Sequence, residues 1–108
     1  MSDTAPARRA VLDAARALAA RGLVEGTSGN VSARVDEGRV CLTPSSLRYD
    51  AMTLDDLVVV GLDGGVLEGD RSPTSEKALH LACYRRYPEI GGVIHSHPVH
   101  ATMFAVAR

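Results

Sequence analysis

Val31-Ser32-Ala33-Arg34-Val35, Asp36-Glu37-Gly38, Arg39-Val40-Cys41-Leu42-Thr43 is the stretch on which the fold turns. Apolar residues alternate with polar or small ones on both sides of a three-residue turn, the pattern of a β-hairpin. An antiparallel pair is therefore expected at the centre of the chain. Downstream, Leu57-Val58-Val59-Val60-Gly61-Leu62 is a continuous apolar run, which predicts a strand covered on both faces. Asp63-Gly64-Gly65 then turns the chain back into Val66-Leu67-Glu68.

Helices flank these strands. Val11, Leu12, Ala15, Leu18 and Ala19 form one apolar stripe on a helix from Ala5 to Arg21, with Gly22 as its stop. Arg9 and Asp13, one turn apart, make at most a modest ion pair on its polar side. Asp50 to Asp56 reads as a short helical turn, with Thr53 as a cap and Asp56 near the positive end of the dipole. In Ser72-Pro73-Thr74-Ser75-Glu76, Ser72 suits a cap and Pro73 a first helical position. The predicted helix buries Ala78, Leu79, Ala82 and Cys83 and ends at Pro88. A strand from Val93 to His97 leads to Pro98 and to an amphipathic segment with Val99, Met103, Phe104 and Val106.

A length of 108 residues holds one domain at most, and 45% apolar with 23% charged residues is the balance of a soluble globular protein. A net charge of -1 offers no electrostatic basis for binding nucleic acid or acidic membranes. The polar start Met1 to Pro6 and the charges Arg8, Arg9, Asp13 and Arg16 argue against a signal peptide or a membrane span, so a cytoplasmic protein is expected. Cys41 and Cys83, without a C-x-x-C partner and inside apolar elements, read as reduced, buried thiols.

The chemistry concentrates in a histidine pair, three loops and one carboxylate. His95 and His97 would project from one face of a strand, which suits a shared metal ion or a pair of hydrogen-bonded structural histidines. A catalytic zinc site takes three protein ligands; His100 could be the third or an ordinary first-turn residue, and His80 reads as structural. Three loops, Thr27 to Asn30, Thr43 to Ser46 and Ser72 to Ser75, carry hydroxyl, amide and backbone donors that could hold a phosphate; the same residues also serve ordinary turns. Glu76, at a helix start, is either a favourable helix charge or a base for a proton next to a metal-bound ketone.

Gly26-Thr27-Ser28-Gly29-Asn30-Val31-Ser32, Leu42-Thr43-Pro44-Ser45, Thr74-Ser75-Glu76 and His95-Ser96-His97-Pro98-Val99-His100 resemble, in order and spacing, the class II aldolase/adducin family. The resemblance covers roughly the N-terminal half of that family's domain. It implies an α/β fold, three-layer α/β/α with a mostly antiparallel central sheet and incomplete here, assembled as a homotetramer when full length. It also implies Zn2+ as cofactor, with His95 and His97 as two ligands and Glu76 as the catalytic acid/base. Gly29, Asn30, Thr43, Ser45, Ser46, Thr74 and Ser75 would bind the phosphate of a phosphorylated sugar.

The implied reaction is reversible cleavage of a ketose 1-phosphate to dihydroxyacetone phosphate and an aldehyde. Sugar-phosphate 4-epimerases and a methylthioribulose-phosphate dehydratase share these motifs. A non-catalytic phosphosugar-binding or interaction module is the reading from another class, against which both histidines and Glu76 weigh. The family's third zinc histidine, in a His-His-Gly motif, and a tyrosine acting across a subunit interface would lie beyond Arg108. A fragment of a longer enzyme is therefore expected, one that binds zinc poorly, lacks turnover and tends to aggregate through uncovered apolar surface.

Overall fold

The structure, a computed structural model, describes residues 3–24 and 27–96. Helix α1 is Ala5–Ala20 and helix α2 is Lys77–Arg86. The strands are β1 Asn30–Asp36, β2 Arg39–Leu42, β3 Val58–Gly61, β4 Val66–Glu68 and β5 Gly92–His95. They form one sheet in the order β4-β3-β2-β1-β5, and each neighbouring pair is antiparallel. The hairpin and the returning strand stand where the sequence places them.

Period-two alternation divides the sheet into two apolar faces. Val31, Ala33, Cys41 and Val59 meet Val11, Leu12, Ala15 and Leu18 of α1. Val40, Leu42, Val58 and Val60 meet Leu81 and Tyr84 of α2 on the opposite face. All four residues of β3 are buried because it carries a helix layer on each side. The expected three-layer α/β/α arrangement is therefore present. No helix among the described residues is long and apolar enough to cross a membrane.

Helix α1 stops at Gly22, whose φ of 69° admits the left-handed turn. Leu23 N–H bonds Leu18 O at 2.9 Å and Gly22 N–H bonds Ala19 O at 3.2 Å, satisfying two terminal carbonyls. Arg8 ties this helix to the sheet by donating to Leu54 O at 3.1 Å, Leu57 O at 3.2 Å and Glu68 Oε1 at 3.0 Å. Arg9 and Asp13 lie 4.0 Å apart, both exposed, the weak pair their spacing suggests.

The segment from 50 to 56 differs from the single turn expected. It holds two 3-10 turns, Tyr49–Ala51 and Leu54–Asp56. The Asp56 carboxylate accepts the Thr53 N–H at 2.8 Å, its hydroxyl at 3.1 Å and Arg71 Nε at 2.7 Å. The Arg71 guanidinium and the Thr53 N–H hold this carboxyl below the usual carboxylate range.

Two expectations about α2 are corrected. The helix starts at Lys77 with Glu76 as its cap residue, because Pro73 lies in an extended segment bridged to Pro44 instead of opening a turn. Its buried residues are His80, Leu81 and Tyr84, while Leu79 is 45% exposed, Ala78 and Ala82 are exposed and Cys83 is half-buried. The polar pair His80 and Tyr84 can turn inward because β1 presents hydrogen-bond partners to it. Arg34 of β1 fixes the other end of α2, donating to Tyr84 O at 3.1 Å and Ile90 O at 2.9 Å with its guanidinium 4.9 Å above the Tyr84 ring.

Strand β5 ends at His95, and Ser96, which the predicted strand includes, lies outside it. His97, His100 and the predicted helix from Val99 to Val106 lie outside the described residues. Cys41 is a buried free thiol, pushed up to about 12 by burial; Cys83 is free and only half-buried.

Candidate active site

The β1–β5 register sets Asn30 directly opposite His95, so the loop entering β1 arrives beside that histidine. Gly29 makes this approach possible. Its φ is +83°, and a Cβ built there would lie 2.6 Å from Val24 Cγ1 and 3.1 Å from His95 O. Gly29→Ala is expected to cost about 1–2 kcal/mol and to shift β5 away from β1 at His95, read by denaturant unfolding and by the His95 amide resonance. An unchanged midpoint and resonance would contradict the close approach.

The other two loops are joined side by side. Besides the Pro44–Pro73 bridge, Ser45 N–H bonds Ser72 O at 2.9 Å and Thr74 N–H bonds Thr43 O at 3.0 Å. Thr74 Oγ1 accepts the Glu76 N–H at 3.3 Å, and His80 N–H bonds Glu76 O at 3.2 Å, so Glu76 stands at the first turn of α2 with its backbone held on both sides. Ser46 takes a left-handed φ of 59°, uncommon for a residue with a side chain.

These segments surround a polar cleft of about 260 Å³. Gly29, Asn30, Ser45, Ser46, Thr74, Ser75, Glu76 and His95 all line it. Thr27, Ser28 and Pro44 line it too, although sequence reasoning does not single them out as site residues; Thr27 and Ser28 fall inside a loop already flagged by its hydroxyls. Thr43 does not reach the cleft. Its side chain is fully buried and its Oγ1 accepts the Val31 N–H at 3.2 Å, so it holds the wall instead of lining it. Among the described residues that line the cleft there is no lysine or arginine, and anion binding there would rest on N–H, hydroxyl and amide donors. A wider hollow of about 390 Å³ beside Arg16, Val24 and Tyr49 contains none of the flagged residues.

Behind the cleft lies a buried polar row. His80 Nε2 is 2.5 Å from Asn30 Oδ1, His80 Nδ1 is 2.6 Å from Ser32 Oγ, and Ser32 Oγ is 2.7 Å from the Tyr84 hydroxyl. A signal for it exists in the sequence: Asn30, Ser32 and Arg34 put three polar residues on one face of a central strand. Burial, with a smaller contribution from His95, lowers His80 to about 4.

The sign of the resulting linkage follows from the unfolded chain protonating near 6.5 while the folded one stays neutral down to about 4. Stability should be complete above pH 6.5 and fall by roughly 2–3 kcal/mol as the pH drops from 6.5 to 4. Denaturant unfolding across that window checks this, and His80→Gln should flatten the slope.

No group of three or more His, Cys, Asp or Glu side chains among the described residues could hold a metal ion. The cleft supplies one imidazole, His95, and one carboxylate, Glu76. Those are donor types zinc accepts, and a catalytic zinc site takes three protein ligands.

The model of the Class II Aldolase and Adducin N-terminal domain matches residues 9–108. The L-ribulose-5-phosphate 4-epimerase UlaF of Salmonella paratyphi C is 50% identical over 101 residues, covering 93% of this chain and 44% of that protein. An L-fuculose 1-phosphate aldolase structure superposes with a TM-score of 0.85 at 31% identity, over 95% of this chain and 49% of the other. The L-fuculose-1-phosphate aldolase of Thermus thermophilus gives a TM-score of 0.73 at 32% identity, over 88% and 48%. The chain thus spans about half the length of the relatives it matches. With the order of the motifs, the three-layer fold and a family model covering nearly every residue all in agreement, the chain belongs to the class II aldolase and adducin N-terminal domain family.

Proposed function

We propose that this chain is the N-terminal part of a single-domain, metal-dependent enzyme that breaks a carbon–carbon bond of a phosphorylated ketose by retro-aldol chemistry. The supporting observation is the meeting of three donor-rich loops with Glu76 and His95 in one cleft. Gly29, Asn30, Ser45, Ser46, Thr74 and Ser75 hold the substrate phosphate through backbone N–H, hydroxyl and amide donors. Thr43 supports their wall from behind.

Glu76 moves a proton at the carbon next to the ketone: it removes that proton in the condensation direction and returns it in cleavage. His95 and His97 hold a zinc ion together with a third histidine from outside these residues. When bound, the ion supplies Lewis acidity at the ketone oxygen. The protein works in the cytoplasm, as a homotetramer at full length.

A second reading, C4 epimerisation, is favoured by the 50% identity with a 4-epimerase. In a 2-ketose, C4 is one carbon too far from the carbonyl for its hydrogen to be acidified. Breaking the C3–C4 bond and re-forming it on the opposite face of the aldehyde inverts C4 instead. Both reactions share the first bond cleavage and differ in whether the enediolate carbon is protonated.

A form of the protein spanning the length of its relatives, supplied with zinc, should be offered L-fuculose 1-phosphate and L-ribulose 5-phosphate. Release of dihydroxyacetone phosphate supports the aldolase reading, and inversion at C4 seen by NMR supports the epimerase. No turnover of either sugar, with phosphosugar binding unchanged by chelation, would leave a non-catalytic binding module.

A further inference from the structure

The buried row behind the cleft has only one direction in which each of its hydrogens finds an acceptor. Tyr84 is 1% exposed, and among the described residues the hydrogen-bond partner of its hydroxyl is Ser32 Oγ at 2.7 Å, so its hydrogen has that one place to go. Ser32 then donates to His80 Nδ1 at 2.6 Å, and His80 Nε2–H donates to Asn30 Oδ1 at 2.5 Å. The reverse direction would strand the Tyr84 hydrogen in the core, a cost the forward direction avoids.

We propose that His80 is a positioning residue: locked as the Nε2–H tautomer by Ser32 and Tyr84, it holds the Asn30 carbonyl oxygen inward and so turns the Asn30 amide N–H2 toward the cleft. Asn30 is 5% exposed yet lines the cleft, so one end of its amide is engaged in the core and the other is the end available to a ligand. A freely turning amide would offer its oxygen as readily as its nitrogen, and an oxygen repels a phosphate. The relay removes that alternative before a ligand arrives. Neutral His80 is retained throughout the pH range above about 4, because burial disfavours its charged form.

This inference rests on the reading of the cleft as a phosphate site, and the experiment separates the two. Imidazole 15N spectra of the chain should show His80 as the Nε2–H tautomer, unchanged from pH 5 to 8. Inorganic phosphate is then titrated into the wild type and the variants Asn30→Ala, His80→Leu, His80→Gln and Tyr84→Phe. Asn30→Ala and His80→Leu should weaken phosphate about tenfold each, whereas His80→Gln, whose amide can donate to Asn30 and accept from Ser32, should restore most of the affinity.

Tyr84→Phe should weaken binding by about threefold and make the His80 tautomer heterogeneous. An Nδ1–H tautomer overturns the proposal without any variant having to fold. If Asn30→Ala weakens phosphate and His80→Leu does not, positioning is overturned while the phosphate site stands. If Asn30→Ala binds as wild type does, the phosphate reading falls and the positioning role with it.

Discussion

Glu76→Gln, in a form of the protein spanning the length of its relatives, is expected to lower kcat for aldol cleavage by about 10²–10⁴-fold while KM moves little. Glutamine keeps the size of the side chain and removes its ability to carry a proton. Glu76 makes no side-chain cap bond to α2, and its backbone is held by Thr74 Oγ1 and by the bond from His80 N–H. The change should therefore leave the helix start and the cleft in place. Exchange of the dihydroxyacetone phosphate C–H with solvent deuterium should fall in parallel with kcat. A kcat within about threefold of wild type would remove Glu76 from the proton transfer.

Leu81→Ala is expected to destabilise the fold by about 3–5 kcal/mol, and Leu79→Ala by less than about 1 kcal/mol. The two residues are two positions apart on α2 and identical in type, so composition cannot separate them. Leu81 is 2% exposed and packs with Val40, Leu42, Val58, Val60 and Tyr84, whereas Leu79 is 45% exposed. Truncating Leu81 removes transfer free energy and leaves a cavity that β-sheet neighbours on two strands cannot close. Truncating Leu79 mainly changes a surface contact. Urea unfolding of the two variants decides between the faces, and equal losses would contradict the inward assignment.

The same helix shows why part of the molecule could not be read from the sequence. Ala78, Leu79, Ala82 and Cys83 form an apolar stripe, and an apolar stripe is the usual inward face. The structure buries His80 and Tyr84 instead, because Ser32 and Asn30 on β1 satisfy their polar atoms at 2.5–2.7 Å. That compensation comes from residues about fifty positions away. Pro73 misleads for a related reason: its fit to a first helical position is local, and the bridge to Pro44 that keeps it extended is not.

For the site, the motifs were legible and their meeting was not. Thr27 to Asn30, Thr43 to Ser46, Ser72 to Glu76 and His95 are separate in sequence, and each loop alone is what any turn would use. The antiparallel register of β1 with β5 and the pairing of the second and third loops bring them to one cleft. The register also sends Thr43 behind the wall, a distinction that its hydroxyl type could not reveal.

By itself the sequence determined the hairpin, the doubly covered strand β3, the α1 stripe with its glycine stop and the identity of the chemical groups. These follow from short-range periodicity and from backbone preferences that each residue carries with it. Only the tertiary structure decided which face of α2 turns inward, where that helix begins, which donors reach the cleft and which way Asn30 is held. Those outcomes depend on hydrogen-bond partners supplied by other strands, since burying a polar side chain is tolerable only where a distant part of the chain completes its bonds.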